Sequence, residues 1–285
     1  MMSSECTISL SNYEEQYELS IRDFTENKYY KKYDEIPKDR VRIIICNCKV
    51  VGWMELSVPS SAVYDGFVFI YVTPNYRRNG IGTRVYKQVK TNFESVGCGW
   101  WTSYPPNDIA DKFVKSVGFN FVNTNTYMEH DDKFCVSSEN GIRSCVPEDY
   151  PTALDIWSRE YAEMHKRIGL LFEKKEMTEE ECREEYNDFL KNIENSFVME
   201  IDGKIIGYGA IFEDNSGIGA VAIDREYAGR GYGTRLSAFL TNEIIRRGCK
   251  TPCLYCESGN DDAMHIYKKI GYYEASSETV AIKTI

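Results

Sequence analysis

The sequence predicts an α/β chain of two tandem domains, each a mixed sheet flanked by helices. Two observations carry this: a glycine-rich strand, turn and helix occurs twice in register, and the same order of elements repeats around it. The first turn follows Val72 and runs through Arg77, Arg78, Asn79, Gly80, Ile81, Gly82 and Thr83. The second follows Ile223 and runs through Gly229, Arg230, Gly231, Tyr232, Gly233 and Thr234, with Gly231 lying 151 residues after Gly80. Each turn ends an apolar run and opens an amphipathic helix, so each can aim free backbone N–H groups and a helix dipole at a bound anion.

The remaining elements follow in matching order. Each half opens on a short strand, Thr7 to Leu10 and Ile142 to Val146, followed by a helical stretch. Three strands joined by hairpin-like turns come next, near 42–47, 52–58 and 66–72 in the first half and 197–201, 206–213 and 217–223 in the second. A lysine-led turn enters the middle strand of each trio, Lys49-Val-Val-Gly52 and Lys204-Ile-Ile-Gly207, an offset of 155. The glycine turns then start helices of matching length, Ile81 to Val96 and Tyr232 to Arg247, each closed by Gly-Cys. A further strand leads to Asn107-x-x-Ala110 with Gly118-Phe119, and to Asn260-x-x-Ala263 with Gly271-Tyr272, offset by 153. Offsets that drift by a few residues are what loop insertions produce. A repeat this long is a domain rather than a solenoid unit. The boundary is expected in the polar stretch Asp132 to Asn140, giving domains 1–135 and 136–285.

Composition sets outer limits on function. The chain has 285 residues, 42% of them hydrophobic, enough for two cores. No apolar run approaches a membrane span and the N-terminus lacks a signal-peptide pattern, so a cytoplasmic protein is expected. A net charge of −10 argues against a nucleic acid partner and suits a cationic acceptor, although carboxylates that merely solvate helices give the same number. The ten cysteines include Cys249-x3-Cys253-x2-Cys256. Cys253 and Cys256 fall on one short strand whose alternate positions face opposite ways, so free thiols are expected and no metal site.

The downstream pattern narrows the reading. Asn260-Asp-Asp-Ala263-Met-His-Ile-Tyr267-Lys-Lys-Ile-Gly271-Tyr272, taken with the glycine turn, resembles the GNAT N-acetyltransferases, and the resemblance spans nearly the whole chain, twice. It implies two GNAT folds with mostly antiparallel sheets, and acetyl-coenzyme A as acyl donor. Its pyrophosphate would rest on the turn amides and its pantetheine arm would pair with the strand Val221-Ala222-Ile223. Glycines at such a turn let backbone approach phosphate without a Cβ in the way. Arg230 and Arg235 can add charge there, or can simply be solvated. The resemblance also implies a small amine or peptide acceptor, with small metabolite, antibiotic, peptide N-terminus and protein lysine all open, while charge and hydropathy argue against nucleic acid and membrane partners. The oligomeric state stays open, with a monomer plausible because the two halves can stand in for a dimer.

Roles follow from the same resemblance. Tyr267 would donate a proton to the departing thiolate, and a backbone N–H near Ile223 would polarise the thioester carbonyl. Asn260 would contact the donor or cap its helix. The first half puts Val114 where Tyr267 stands, so it keeps a binding loop (Val72, Arg77, Arg78, Asn79, Gly80, Ile81, Gly82, Thr83) without the acid; the second half has Ala228 in place of Arg77. Catalysis is therefore expected in the second half, with the first as a degenerate partner. A protein that binds acyl-CoA without turning it over is the competing class. The second half carries a longer acidic stretch, Glu173 to Asp188, which can form a lid or a solvated helix with an apolar face at Cys182, Tyr186, Phe189 and Ile193. Glu213, Asp224, Glu257, His165 or an ordered water all remain open as the general base.

Overall fold

The computed structural model describes residues 7–25, 33, 36–60, 65–169 and 178–283. They form two compact units that are not contiguous halves parted at residue 135: the first joins the chain up to Val122 to Thr279 onward, and the second is Asn123–Glu278. No helix among the described residues is long and apolar enough to cross a membrane.

In the first unit the elements are β1 (Ile8–Asn12), α1 (Glu18–Phe24), β2 (Val41–Cys46), β3 (Lys49–Ser57), β4 (Gly66–Val72), α2 (Ile81–Val96), β5 (Trp100–Tyr104) and α3 (Asp108–Ser116). Strands β1 to β4 are antiparallel neighbours, β4 lies parallel to β5, and Thr279–Lys283 pairs antiparallel with β5. Asn47 and Cys48 both take positive φ, the geometry of a two-residue hairpin that matches strand twist. Buried Ile81, Val85, Val89 and Phe93 form one stripe of α2. That stripe meets the sheet where Phe93 stacks on Trp100 at 5.0 Å. Ala281 is 1% exposed and belongs to this core.

The second unit repeats the plan with β7 (Ile142–Ser144), α4 (Tyr150–Arg167), α5 (Glu179–Lys191), β8 (Ser196–Ile201), β9 (Lys204–Ile211), β10 (Gly217–Ile223), α6 (Tyr232–Arg246), β11 (Cys253–Glu257) and α7 (Asp261–Ile270). Two further strands flank the repeats in sequence, β6 (Asn120–Glu129) and β12 (Tyr273–Lys283). Asn125–Glu129 of β6 pairs with β11, and Met128 enters the second core. Each unit thus has beside its fifth strand a segment that the sequence repeat assigns to the other half. The opening strand β7 stops at Ser144 rather than Val146, because the Asp149 carboxylate accepts the Val146 N–H at 2.9 Å and bends the chain into α4.

Alternation along β8 fixes which face each helix covers. Phe197 and Met199 join Leu236 and Leu240 of α6, while Val198 joins Ala153 of α4, so α4 and α6 lie on opposite faces of the sheet. Of the acidic insertion, 170–177 lie outside the described residues, including Glu173 and Glu176. Its described part is α5, started by a reciprocal Thr178–Glu181 capping box. Tyr186 and Phe189 each meet Tyr150 at 4.9 Å, whereas Cys182 is exposed and does not join that apolar face. One expectation about the thiols fails: Cys46 is disulfide-bonded rather than free. Cys98, Cys145, Cys253 and Cys256 are free and buried.

Because Ala281 packs in the first core although it lies beyond the whole second unit in sequence, Ala281→Asp should act on the first unit. A buried unpaired carboxylate is expected to cost about 2–4 kcal/mol there. Hydrogen exchange should show lost protection at Trp100–Tyr104 and retained protection in β9 and β10. Equal loss in both units, or none in the first, would contradict the strand assignment.

Candidate active site

In the second unit β10 and β11 are parallel partners over only two residue pairs, Gly217 with Cys253 and Ile218 with Leu254. One residue later the β9–β10 register shifts between Ile218 and Ala220, a bulge at Gly219 that bends β10 as pairing with β11 ends. From Ala220 to Ile223, β10 keeps β9 on one side and presents the other edge to a cavity of about 920 Å³. Val221, Ala222, Ile223, Gly229, Gly231, Tyr232, Gly233, Thr234, Asn260 and Tyr267 all line it.

The glycine turn supplies its donors by geometry. Gly231 sits at the α6 N-cap with φ of 83°, in the left-handed region that favours glycine. The first intrahelical bond is from Arg235 N–H to the Gly231 carbonyl, so the preceding amides of the first turn have no helical acceptor. Gly233 faces α7, where an added Cβ would stand 3.1 Å from Ile266. The arginines expected to add charge turn elsewhere. Arg230 donates to the Glu226 carbonyl at 3.1 Å and lies over the Tyr227 ring, and Arg235 donates to the Asn140 carbonyl at 2.9 Å. Neither lines the cavity.

Two side chains of α7 bring polar groups to the cavity. Tyr267 is half-buried, and burial raises its phenol well above the ordinary range, so it holds its proton at neutral pH. Asn260 occupies the α7 N-cap without capping through its side chain, in contrast to Asn107, whose Oδ1 accepts the Ala110 N–H at 2.8 Å. The Asn260 amide is left to the cavity. Ser237 adds a group the sequence did not single out: a buried hydroxyl on the cavity wall with no protein partner. The signal was a small polar residue four positions after Gly233, on the helix face that begins at the glycine turn.

Of the base candidates, the fold brings two together. His165 of α4 is 6% exposed, and its Nε2 lies 3.0 and 3.2 Å from the two carboxylate oxygens of Glu257. A carboxylate only accepts, so the imidazole donates. Glu257 lines the cavity, as do Trp157 and Tyr161, whose rings stack at 4.8 Å. Burial and the Glu257 carboxylate push the Tyr161 phenol up to about 12. Glu213 is exposed in the turn after β9, and Asp224 pairs with Arg159 at 3.1 Å, so neither reaches the cavity.

The first unit has a cavity of about 390 Å³ at the matching place, lined by Val72, Arg77, Arg78, Gly80, Ile81, Gly82 and Thr83, with Asn79 turned back onto the Tyr76 and Arg77 carbonyls. Its β4 and β5 also part after two pairs, but the β3–β4 register runs through without a bulge. Arg77 spends its Nε–H on the Val72 carbonyl at 2.7 Å. Phe113 stands against Gly82 where the second unit has Ile266 against Gly233. Tyr104 takes the place of Glu257 and donates to Asp111 at 2.9 Å. Val114, buried in the wall, takes the place of Tyr267.

The sequence model of the acetyltransferase (GNAT) family matches residues 9–119 and 154–272. No curated protein matches the chain by sequence. Among solved structures, a GCN5-related N-acetyltransferase from Sphaerobacter thermophilus aligns with TM-score 0.64 and 16% identity over 97% of this chain and 95% of its own. A GCN5-related glucosamine N-acetyltransferase region of a fungal multi-domain β-N-acetylglucosaminidase aligns at 0.63 and 15% over 99% of this chain and 38% of its own. A tandem GNAT protein from the clavulanic acid biosynthesis pathway aligns at 0.53 and 14% over 85% and 82%. These likenesses are of fold. With the family matched over both halves, the chain belongs to the GNAT acetyltransferase family and carries its fold twice.

Proposed function

We propose that the second unit is an acetyl-coenzyme A-dependent N-acetyltransferase that moves the acetyl group directly to a primary amine. One observation carries the reading: a single cavity joins the glycine turn, the open edge of β10 and the protonated Tyr267. The amides of Tyr232, Gly233 and Thr234 bind the pyrophosphate, and the edge from Val221 to Ile223 pairs with the pantetheine arm. The Asn260 side chain, not used as a cap, hydrogen-bonds the donor. An N–H near Ile223 polarises the thioester, and Tyr267 gives its proton to the leaving thiolate.

In the first unit the same turn binds an anion without chemistry, because Val114 has no proton to give. Its smaller cavity supports a degenerate partner rather than a second reaction centre. A thioester-cleavage assay over a panel of amines tests the assignment. Release of coenzyme A only when an amine is present is expected, while tight binding with no release would favour a non-enzymatic acyl-CoA-binding protein.

Tyr267→Phe should lower kcat about 10²-fold, the scale of losing a general acid, and leave donor affinity nearly unchanged by calorimetry. Unchanged turnover, measured where chemistry limits the rate, would remove Tyr267 from the mechanism. Gly231→Val forces a branched side chain into a left-handed position at the phosphate turn and should weaken donor binding at least about tenfold. The matching change in the first unit, Gly80→Val, should leave turnover within about twofold. If Gly80→Val abolished activity in a folded protein, the roles of the two units would be reversed.

A further inference from the structure

The gap between β10 and β11 opens to both faces of the second sheet, and the two faces differ in chemistry. Alternation along β11 turns Leu254 and Cys256 toward the α6 side, where they join the core with Tyr267. Tyr255 and Glu257 therefore face α4. On that side Trp157, Tyr161 and Met164 of α4 form an apolar wall, with the Tyr161 and Tyr255 rings 38% and 53% exposed. Glu257 stands at the end of this wall with its carboxylate held from behind by His165. Arg167 and Arg225 also line the cavity, but each is ion-paired, Arg167 with Asp262 at 2.9 Å and Arg225 with Glu163 at 3.4 Å.

An aromatic wall ending in a carboxylate recognises an ammonium group on an apolar body: the rings take the body and attract the cation, and the carboxylate takes its N–H groups. Resting on the acyl-transfer reading above, we propose that the acceptor is a primary amine carried on an apolar body, seated against Trp157 and Tyr161 with its nitrogen at Glu257, which also removes its proton. Glu257 takes one proton from the ammonium and becomes a carboxylic acid. The freed nitrogen lone pair forms the C–N bond to the thioester carbon from the α4 face. The C–S bond breaks toward the α6 face, where the thiolate takes the Tyr267 proton. The second proton lost by nitrogen restores Tyr267, and Glu257 returns its proton to solvent. His165 is a positioning residue, since one N–H shared between both oxygens fixes the carboxylate plane and leaves lone pairs toward the cavity.

The test is an acceptor panel at saturating acetyl-coenzyme A, comparing phenethylamine and hexylamine with glycine, taurine and glucosamine. The first two should exceed glycine and taurine by about 10²-fold in kcat/KM, the scale of losing apolar contact and adding a like charge beside a carboxylate. Preference for an anionic or a sugar amine would overturn the proposal while leaving acetyl transfer intact; a wild-type protein that acetylates no amine would overturn both. Glu257→Gln should lower kcat about 10²-fold with calorimetric donor affinity unchanged. Trp157→Ala should raise KM for phenethylamine about tenfold with kcat nearly constant, the pattern of lost uniform binding. His165→Leu should lower kcat, and His165→Gln, which keeps an N–H donor, should recover part of it. Wild-type kcat in Glu257→Gln, or no recovery in a folded His165→Gln, would remove the Glu257–His165 pair from the reaction.

Discussion

Parallel pairing of β10 with β11 stops after Ile218 meets Leu254, and the arrangement of the second unit depends on that stop. A continued ladder would satisfy the backbone from Ala220 to Ile223 internally and leave nothing to hold an extended ligand. Parting the strands exposes an edge, a liability on an ordinary sheet. The liability is contained because the edge lies inside a cavity roofed by helices on both faces. The Gly219 bulge supplies the bend, and Gly217 permits the close pair just before it: a Cβ there would stand 2.1 Å from the Cys253 carbonyl oxygen.

The two units share one cleft frame but enclose different volumes. Both keep the parting strands, the hairpin turns at Asn47-Cys48 and Asp202-Gly203, and a left-handed glycine before the long helix. They differ in side chains that reach the gap. By the register of the glycine turns, Tyr86 of α2, 4% exposed, stands where α6 carries the small Ser237. Phe113 stands beside its glycine where α7 has Ile266. Larger aromatic side chains and a straight β4 together account for a cavity less than half the volume.

Much of this was legible in the sequence because it depends on local pattern. The spans of β4, β10 and α2 follow from an apolar run, a glycine turn and a stripe at helical spacing, signals that need no distant partner. The cavity residues were legible for the same reason, since turn, strand end and α7 are each short motifs. What could not be read is non-local. His165 and Glu257 are 92 residues apart, and only packing of α4 onto the sheet makes them a pair. The partners of β5 and β11 are more distant still in sequence: Thr279–Lys283 and Asn125–Glu129 are ordinary strands by pattern, and nothing in their composition says beside which strand each lies. The placing of Arg230 is not settled by pattern either: its guanidinium donates to the Glu226 carbonyl and lies over the Tyr227 ring.

The seating of Thr279–Lys283 beside β5 has a consequence for how the protein is made. Translation delivers a domain's strands in order, and an ordinary first domain closes its sheet while later residues are still being added. Here β5 has no antiparallel neighbour until the ribosome has produced the entire second unit. During that interval the first core lacks Ala281 and the edge of β5 is unpaired, the kind of edge that invites pairing with another chain. Completion of the first unit's sheet therefore waits on residues made after the whole second unit.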